Sequence, residues 1–199
     1  MKKLGHLLAL LAAVLCLSAS AAWARPTVVI DAGHGGHDRG GVPGDHFPEK
    51  VYTLDVARRL QARLGSMGYR TVMTRRDDYF VGLDQRCSIA NSEGNAIFVS
   101  VHFNSAPREG ANGIETYYYS RRSGSLAAAV HRSVVRAVGT EDRHVRARGF
   151  YVIRNTRIPA ILVECGFLTN RSEGRLIAGS GAYRQRLADA IARGIGNRY

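Results

Sequence analysis

Residues 28–41 read "VVIDAGHGGHDRGG": a β-branched apolar run ends at Asp31 and opens into a glycine-rich loop carrying His34 and His37. Thr27 to Ile30 is apolar on successive positions rather than alternate ones. That pattern suits a strand buried on both faces, as in a parallel sheet. The glycines that follow suggest a nucleotide loop, but Gly33-His34-Gly35-Gly36-His37 places Asp38 where the last glycine of a dinucleotide fingerprint belongs. Its charge would repel a pyrophosphate. P-loop, H-E-x-x-H and G-x-S-x-G signatures are absent from the chain, which removes those enzyme classes.

Working outward, the chain alternates strands and helices. Val51, Leu54, Val56, Leu60 and Leu64 recur near helical spacing, giving a helix over 50–67. Further strands are expected over 70–73, 96–101, 113–119, 150–153 and 159–163, and further helices over 83–91, 123–138 and 182–194. No repeat or linker interrupts them. The expectation is a single α/β domain with a twisted, mostly parallel sheet of about six strands and helices on both faces.

Such a sheet binds ligands beyond the carboxyl ends of its strands. His34 follows the first strand there, His102 ends "AIFVSV", and Glu164 ends "PAILVE". Glu49 joins them, because Pro48-Glu49 reads as the first turn of the next helix, which starts on the same edge. Each residue alone has an ordinary explanation: a turn histidine, a core histidine, a helix-dipole carboxylate, a solvated strand end. Together, two imidazoles and a carboxylate form a zinc-ligand set with an open fourth position, and Glu164 is left as general base and acid. Asp31 is a candidate to orient His34, the alternative being a carboxylate bonded to loop amides. Asn104 is a candidate substrate contact. His37 and His46 share the loop with His34 and compete for its role, whereas His131 and His144 fall in or after a remote helix.

Charge and leader bound the compartment. Lys2 and Lys3 precede an apolar run from Leu7 to Leu17, and Ala22-Trp23-Ala24 is a small-x-small cleavage pattern. Residues 1–24 therefore read as a cleaved signal peptide and 25–199 as the mature domain. Cys16 as a lipidated cysteine is the weaker reading, since Leu15 precedes it. Loss of Lys2 and Lys3, with no acid removed, lowers the formal charge from +12 to +10. A dispersed basic surface outside the membrane gathers anionic wall polymers; no aromatic-interleaved motif calls for nucleic acid. No stretch of the mature chain has the run of roughly 20 apolar residues that a span requires, so no integral membrane protein is expected. Cys87 and Cys165 form a bridge or stay as buried thiols; the sequence leaves both open.

The ordered segments "VVIDAGHGG", "EK" (49–50), "TR" (74–75), "LDQRCSIAN" (83–91), "FVSVHFNS" (98–105), "GIETYY" (113–118) and "FYVIRNTRIPAILVECGFLTN" (150–170) resemble the zinc-dependent N-acetylmuramoyl-L-alanine amidases of the cell-wall amidase type 3 group. The resemblance spans essentially the whole mature chain. It implies one zinc ion on His34, Glu49 and His102, Glu164 as the catalytic carboxylate, and hydrolysis of the amide joining the lactyl group of N-acetylmuramic acid to the L-alanine of the stem peptide. Peptidoglycan is then the partner, with anionic wall polymers and a protein activator as further candidates, in the periplasm or cell-wall space. Arg39 and Cys165 depart from the family pattern, and Cys165 should face away from Glu164 by strand alternation. The segment between Gly113 and Phe150 has room for one strand and one helix, without the inhibitory helix that some relatives insert. Two rival functions stand beside this one: a non-catalytic wall- or polyanion-binding protein on the same fold, and a zinc peptidase or deacetylase acting on other wall amides.

Overall fold

The computed structural model describes residues 25–41, 47–108 and 110–199; the signal peptide expected over 1–24, Cys16 within it, and His46 lie outside them. The sheet contains β1 (Thr27–Ala32), β2 (Thr71–Met73), β3 (Ala96–Asn104), β4 (Ile114–Tyr118), β5 (Asp142–Ala147) and β6 (Ala160–Phe167), in the order β2-β1-β3-β6-β4-β5. All neighbours run parallel except β4 and β6. The helices are α1 (Glu49–Ser66), α2 (Leu83–Asn91), α3 (Gly124–Val138), α4 (Tyr151–Arg154), α5 (Arg171–Gly179) and α6 (Gly181–Gly196). The chain is thus a single α/β domain with a mostly parallel six-stranded sheet and helices on both faces.

Strand alternation divides the interior in two. Val28, Ile30, Val99, Val101, Ile161 and Val163 point toward α1, α3 and α6, of which α6 packs against both of the others. Val29, Phe98, Leu162 and Tyr117 point the other way, beneath the shorter α2 and α4. Cys165 lies in the first cluster and Cys87 in the second. Both are free thiols, kept apart by the sheet.

The structure corrects three sequence expectations. Residues 150–153 form a helical turn, α4, not a strand: Val152 and Ile153 are consecutive buried residues between exposed Phe150 and Arg154. β5 was not anticipated, because "DRHVRA" carries a single large apolar residue, Val145. An edge strand paired only with β4 needs no more. α5 was also missed, although its start is encoded: the Asn170 side chain accepts from the amides of Ser172 and Glu173 as an N-cap.

Candidate metal and catalytic centre

The site forms where β1, β3 and β6 end. Gly33 leaves β1 directly beneath His102, and a Cβ there would come within 2.3 Å of the imidazole. His34 then takes φ +61, a left-handed conformation that costs a non-glycine residue strain and clusters at functional sites. The turn is held by paired backbone bonds between Gly35 and Asp38, at 2.9 and 3.2 Å. This brings Asp38 Oδ2 to 2.8 Å from His34 Nδ1 and leaves His34 Nε2 3.0 Å from Glu49 Oε2.

Glu49, the first residue of α1, is 3 % exposed. Its other oxygen accepts from the Phe103 amide at 2.9 Å and meets His102 Nδ1 at 3.0 Å. One ligand atom each from His34, Glu49 and His102 lies within 4.8 Å of the others, the one such group of three found among the described residues. Burial alone would raise the Glu49 carboxyl, but the hydrogen bonds and charges of His102 and His34 outweigh it and bring it down to about 2. Burial disfavours charge on His34 too, yet Glu49 and Asp38 together raise its pKa. Gly40, at φ +67, passes so close to Glu49 and His34 that a Cβ would sit 2.6 Å from Glu49 Oε2.

Two buried arginines brace the loop. Arg75, wholly inaccessible, donates to the carbonyls of Ala32, Gly33 and Lys50 at 2.8–3.0 Å. Arg86 donates to Asp31 Oδ1 at 2.7 Å and to the carbonyls of Ala32 and His34 at 2.6 and 2.7 Å. Neither was singled out from the sequence as a site residue, although both fall inside the quoted segments "TR" and "LDQRCSIAN". Most of their partners are main-chain oxygens, to which no residue pattern points.

Asp31 does not orient His34. Strand pairing sets it opposite Ser100, and its carboxylate is taken up by Ser100 at 2.6 Å, Thr74 at 2.7 Å and Arg86. Burial pushes its pKa up, but Arg86, Ser100 and Thr74 pull it lower still, below the ordinary value. Asp38 fills the role anticipated for Asp31, because the left-handed turn at His34 swings the ring toward the residue four positions on. Asn104 is likewise committed elsewhere: its Nδ2 donates to Glu115 Oε2 at 2.8 Å and its Oδ1 accepts from the Ser105 amide. His37 stacks on Phe80, ring centroids 4.3 Å apart, and takes no part in the cluster.

Glu164 stands beside His102 in the β3–β6 register and beside Glu115 in the β6–β4 register. Its Oε2 is buried without a hydrogen-bond partner. Burial, then the charges of Glu49 and Glu115, push its carboxyl well above the usual range. Glu115 is itself buried, holding Asn104 and the Tyr117 hydroxyl at 2.7 Å on one oxygen and Arg143 at 3.4 Å on the other. On the α2–α4 side of the cluster, a cavity of about 450 Å³ is walled by His34, His102, Phe80, Leu83, Phe150 and Tyr151. Cys165 packs on the opposite face of the sheet from Glu164.

Fold and site define an α/β enzyme domain whose strand ends carry a His/Glu/His cluster able to hold a metal ion, with a second carboxylate, Glu164, alongside. The chain belongs to the N-acetylmuramoyl-L-alanine amidase family Amidase_3, whose model matches residues 28–197. It is similar to the YqiI protein of Bacillus subtilis (strain 168), 39% identical over 207 residues that cover 100% of this chain and 99% of that protein. It is 34% identical to N-acetylmuramoyl-L-alanine amidase LytC of the same organism, spanning 87% of this chain but only 35% of LytC. Among solved structures, the catalytic domain of CwlV, an N-acetylmuramoyl-L-alanine amidase from Bacillus (Paenibacillus) polymyxa var. colistinus, superposes with a TM-score of 0.82 at 37% identity, covering 87% of this chain and 97% of that one. AmiC2 of Nostoc punctiforme gives 0.81 at 40% identity with the same coverage. None of the helices among the described residues is long and apolar enough to cross a membrane.

Proposed function

We propose that this protein is an exported peptidoglycan hydrolase that cleaves the amide between the lactyl group of N-acetylmuramic acid and the L-alanine of the stem peptide, with one zinc ion held by His34, Glu49 and His102. Residues 1–24 would direct export, to the periplasm or the cell-wall space. The donor set suits the metal: two imidazole nitrogens and a carboxylate oxygen converge on one point, and the far nitrogen of His34 is held by Asp38, the arrangement that fixes a ligating histidine's tautomer. When bound, zinc supplies Lewis acidity, bringing the pKa of a water in its open position toward ~7 and polarising the scissile carbonyl.

The observation that carries the reading is Glu164, adjacent to His102 with an unpartnered buried oxygen. Its carboxylate takes the proton from the attacking water at Oε2, and the resulting acid returns it to the leaving alanine nitrogen. Burial and the charges of Glu49 and Glu115 raise its affinity for a proton, which makes the carboxylate a stronger acceptor from the attacking water. A binding-only protein has no need to keep such a group desolvated and unpartnered.

Mass spectrometry of peptidoglycan after incubation with the zinc-loaded protein tests the proposal. Free stem peptides with intact glycan are expected. Cut stem peptides or lost acetate would instead make it a peptidase or a deacetylase, and the absence of any product would leave the binder. Glu49→Ala is expected to lower zinc content below one ion per chain; full retention would remove Glu49 from the ligand set.

A further inference from the structure

We propose that the apolar cavity beside His34 and His102 is the subsite for the N-acetylmuramoyl sugar of the substrate, whose ring stacks on Phe80, Phe150 and Tyr151. The inference rests on the hydrolase reading above and goes beyond it by giving the glycan half of the substrate a place in the site.

The cavity adjoins the reacting centre itself. His34 and His102, two of the three residues that converge on the metal position, belong to its wall, which continues along β6 to Leu162. In the substrate, only a lactyl carbon and an ether oxygen separate the scissile carbonyl from the sugar ring. A ring attached to a carbonyl at the cluster is therefore within reach of the cavity. Its volume of about 450 Å³ falls in the range of pockets that hold small ligands, about 300–1,000 Å³.

The walls suit a pyranose. Phe80, Leu83, Phe150 and Tyr151 come from two distant stretches of chain and are 37–52% exposed around one opening. Apolar area gathered in this way marks a surface that a ligand covers. The rings are also held in place: His37 stacks on Phe80, Phe150 meets Tyr117 edge to face with centroids 4.9 Å apart, and the Tyr151 hydroxyl donates to Asp84. Aromatic faces fixed in advance lose little freedom on binding, and they match the C–H-bearing face of a sugar ring.

Charge selects the sugar over the peptide. A stem peptide brings carboxylates. Apart from the two histidines, the one cationic side chain in the described wall is Arg86, already committed to Asp31 and to the carbonyls of Ala32, His34 and Val81. Asp38 lines the cavity too, its side chain 41% exposed. It opposes a carboxylate but accepts from a hydroxyl of a neutral sugar.

The test compares N-acetylmuramoyl-L-alanyl-D-glutamate with D-lactyl-L-alanyl-D-glutamate, which share the scissile amide and differ in the sugar, using the zinc-loaded protein. The wild type is expected to show a KM about tenfold lower for the sugar-bearing compound. Phe80→Ala and Tyr151→Ala should each raise that KM several-fold with kcat little changed and zinc still at one ion per chain, and should shift the lactyl compound far less. Calorimetric titration of N-acetylmuramic acid and of D-lactate gives a readout independent of turnover: the sugar acid should bind more tightly, and the margin should narrow in both variants. Equal KM for the two compounds in the wild type would overturn the subsite while leaving the hydrolase intact. Equal rises on both in the variants would also overturn it, placing the lactyl-peptide segment in the cavity instead. If polymeric peptidoglycan is cut but neither small compound is, the binding margin alone decides, and its absence overturns the subsite. Cleavage of none of the three would overturn the hydrolase reading itself, and the subsite with it.

Discussion

The two faces of the sheet are built to different rules. Under α1, α3 and α6 the packing is almost entirely apolar, with Val28, Leu60, Leu126, Leu187 and Ile191 fully inaccessible. On the α2–α4 face the apolar cluster is smaller and grades, toward the strand ends, into Asp31, Ser100, His102, Glu164 and Glu115. One face supplies cohesion. The other accepts desolvated charge, which is affordable only because the first is so well filled.

The sharpest way to break this contrast is Glu164→Gln. Turnover is expected to fall by about 10²–10⁴-fold, the range of a lost general acid–base. Removing the charge of a half-buried carboxylate whose Oε2 has no hydrogen-bond partner should at the same time stabilise the metal-free protein, by about 1–3 kcal/mol near neutral pH. Urea unfolding beside a kinetic assay checks both, and a variant that loses stability would mean Glu164 contributes to the fold. Next comes Arg86→Ala, which strands Asp31 without its ion-pair partner: a loss of about 3–5 kcal/mol is expected, with weaker zinc binding because the His34 carbonyl loses its brace. Leu187→Ala on the apolar face should cost about 2–5 kcal/mol, yet leave kcat/KM of the folded fraction unchanged. A matching activity loss there would show that the faces are coupled.

The smallest effect expected is the pH dependence of Asp31. Its folded pKa lies below the unfolded value of 3.8. The stability it contributes is therefore complete above about pH 5 and disappears as pH falls through the folded value. Urea midpoints between pH 5 and 3 should decline, and a flat profile would remove Asp31–Arg86 from the stabilising interactions.

Sequence reasoning read the first of these faces better than the second. Runs apolar on both sides marked β1, β3 and β6, and with them the positions of His102 and Glu164; Pro48-Glu49 marked the start of α1. What stayed hidden depended on geometry without a residue pattern. A left-handed residue at position 34 exchanged Asp31 for Asp38 as the histidine's partner. Arg75 and Arg86 brace the loop largely through main-chain carbonyls that any sequence would supply. β5 satisfies an edge with charged residues, and 150–153 is apolar enough for a strand yet too short to distinguish from a helical turn. The Asn170 cap of α5, by contrast, was a readable signal left unread.

The reversed direction of β4 has a consequence for how such a domain can change. Because β4 runs against β6 and β5 runs with β4, the connection from Asn104 to Ile114 and the turn entering Asp142 both open on the edge that carries His102 and Glu164. Extra chain inserted at either place would hang over the substrate path without disturbing a hydrogen-bonded strand pair. A parallel strand in the place of β4 would have carried the Asn104–Ile114 connection back to the far edge. The one antiparallel pairing thus makes the rim of this site a place where covers, restraints or docking loops can be grafted onto an unaltered scaffold.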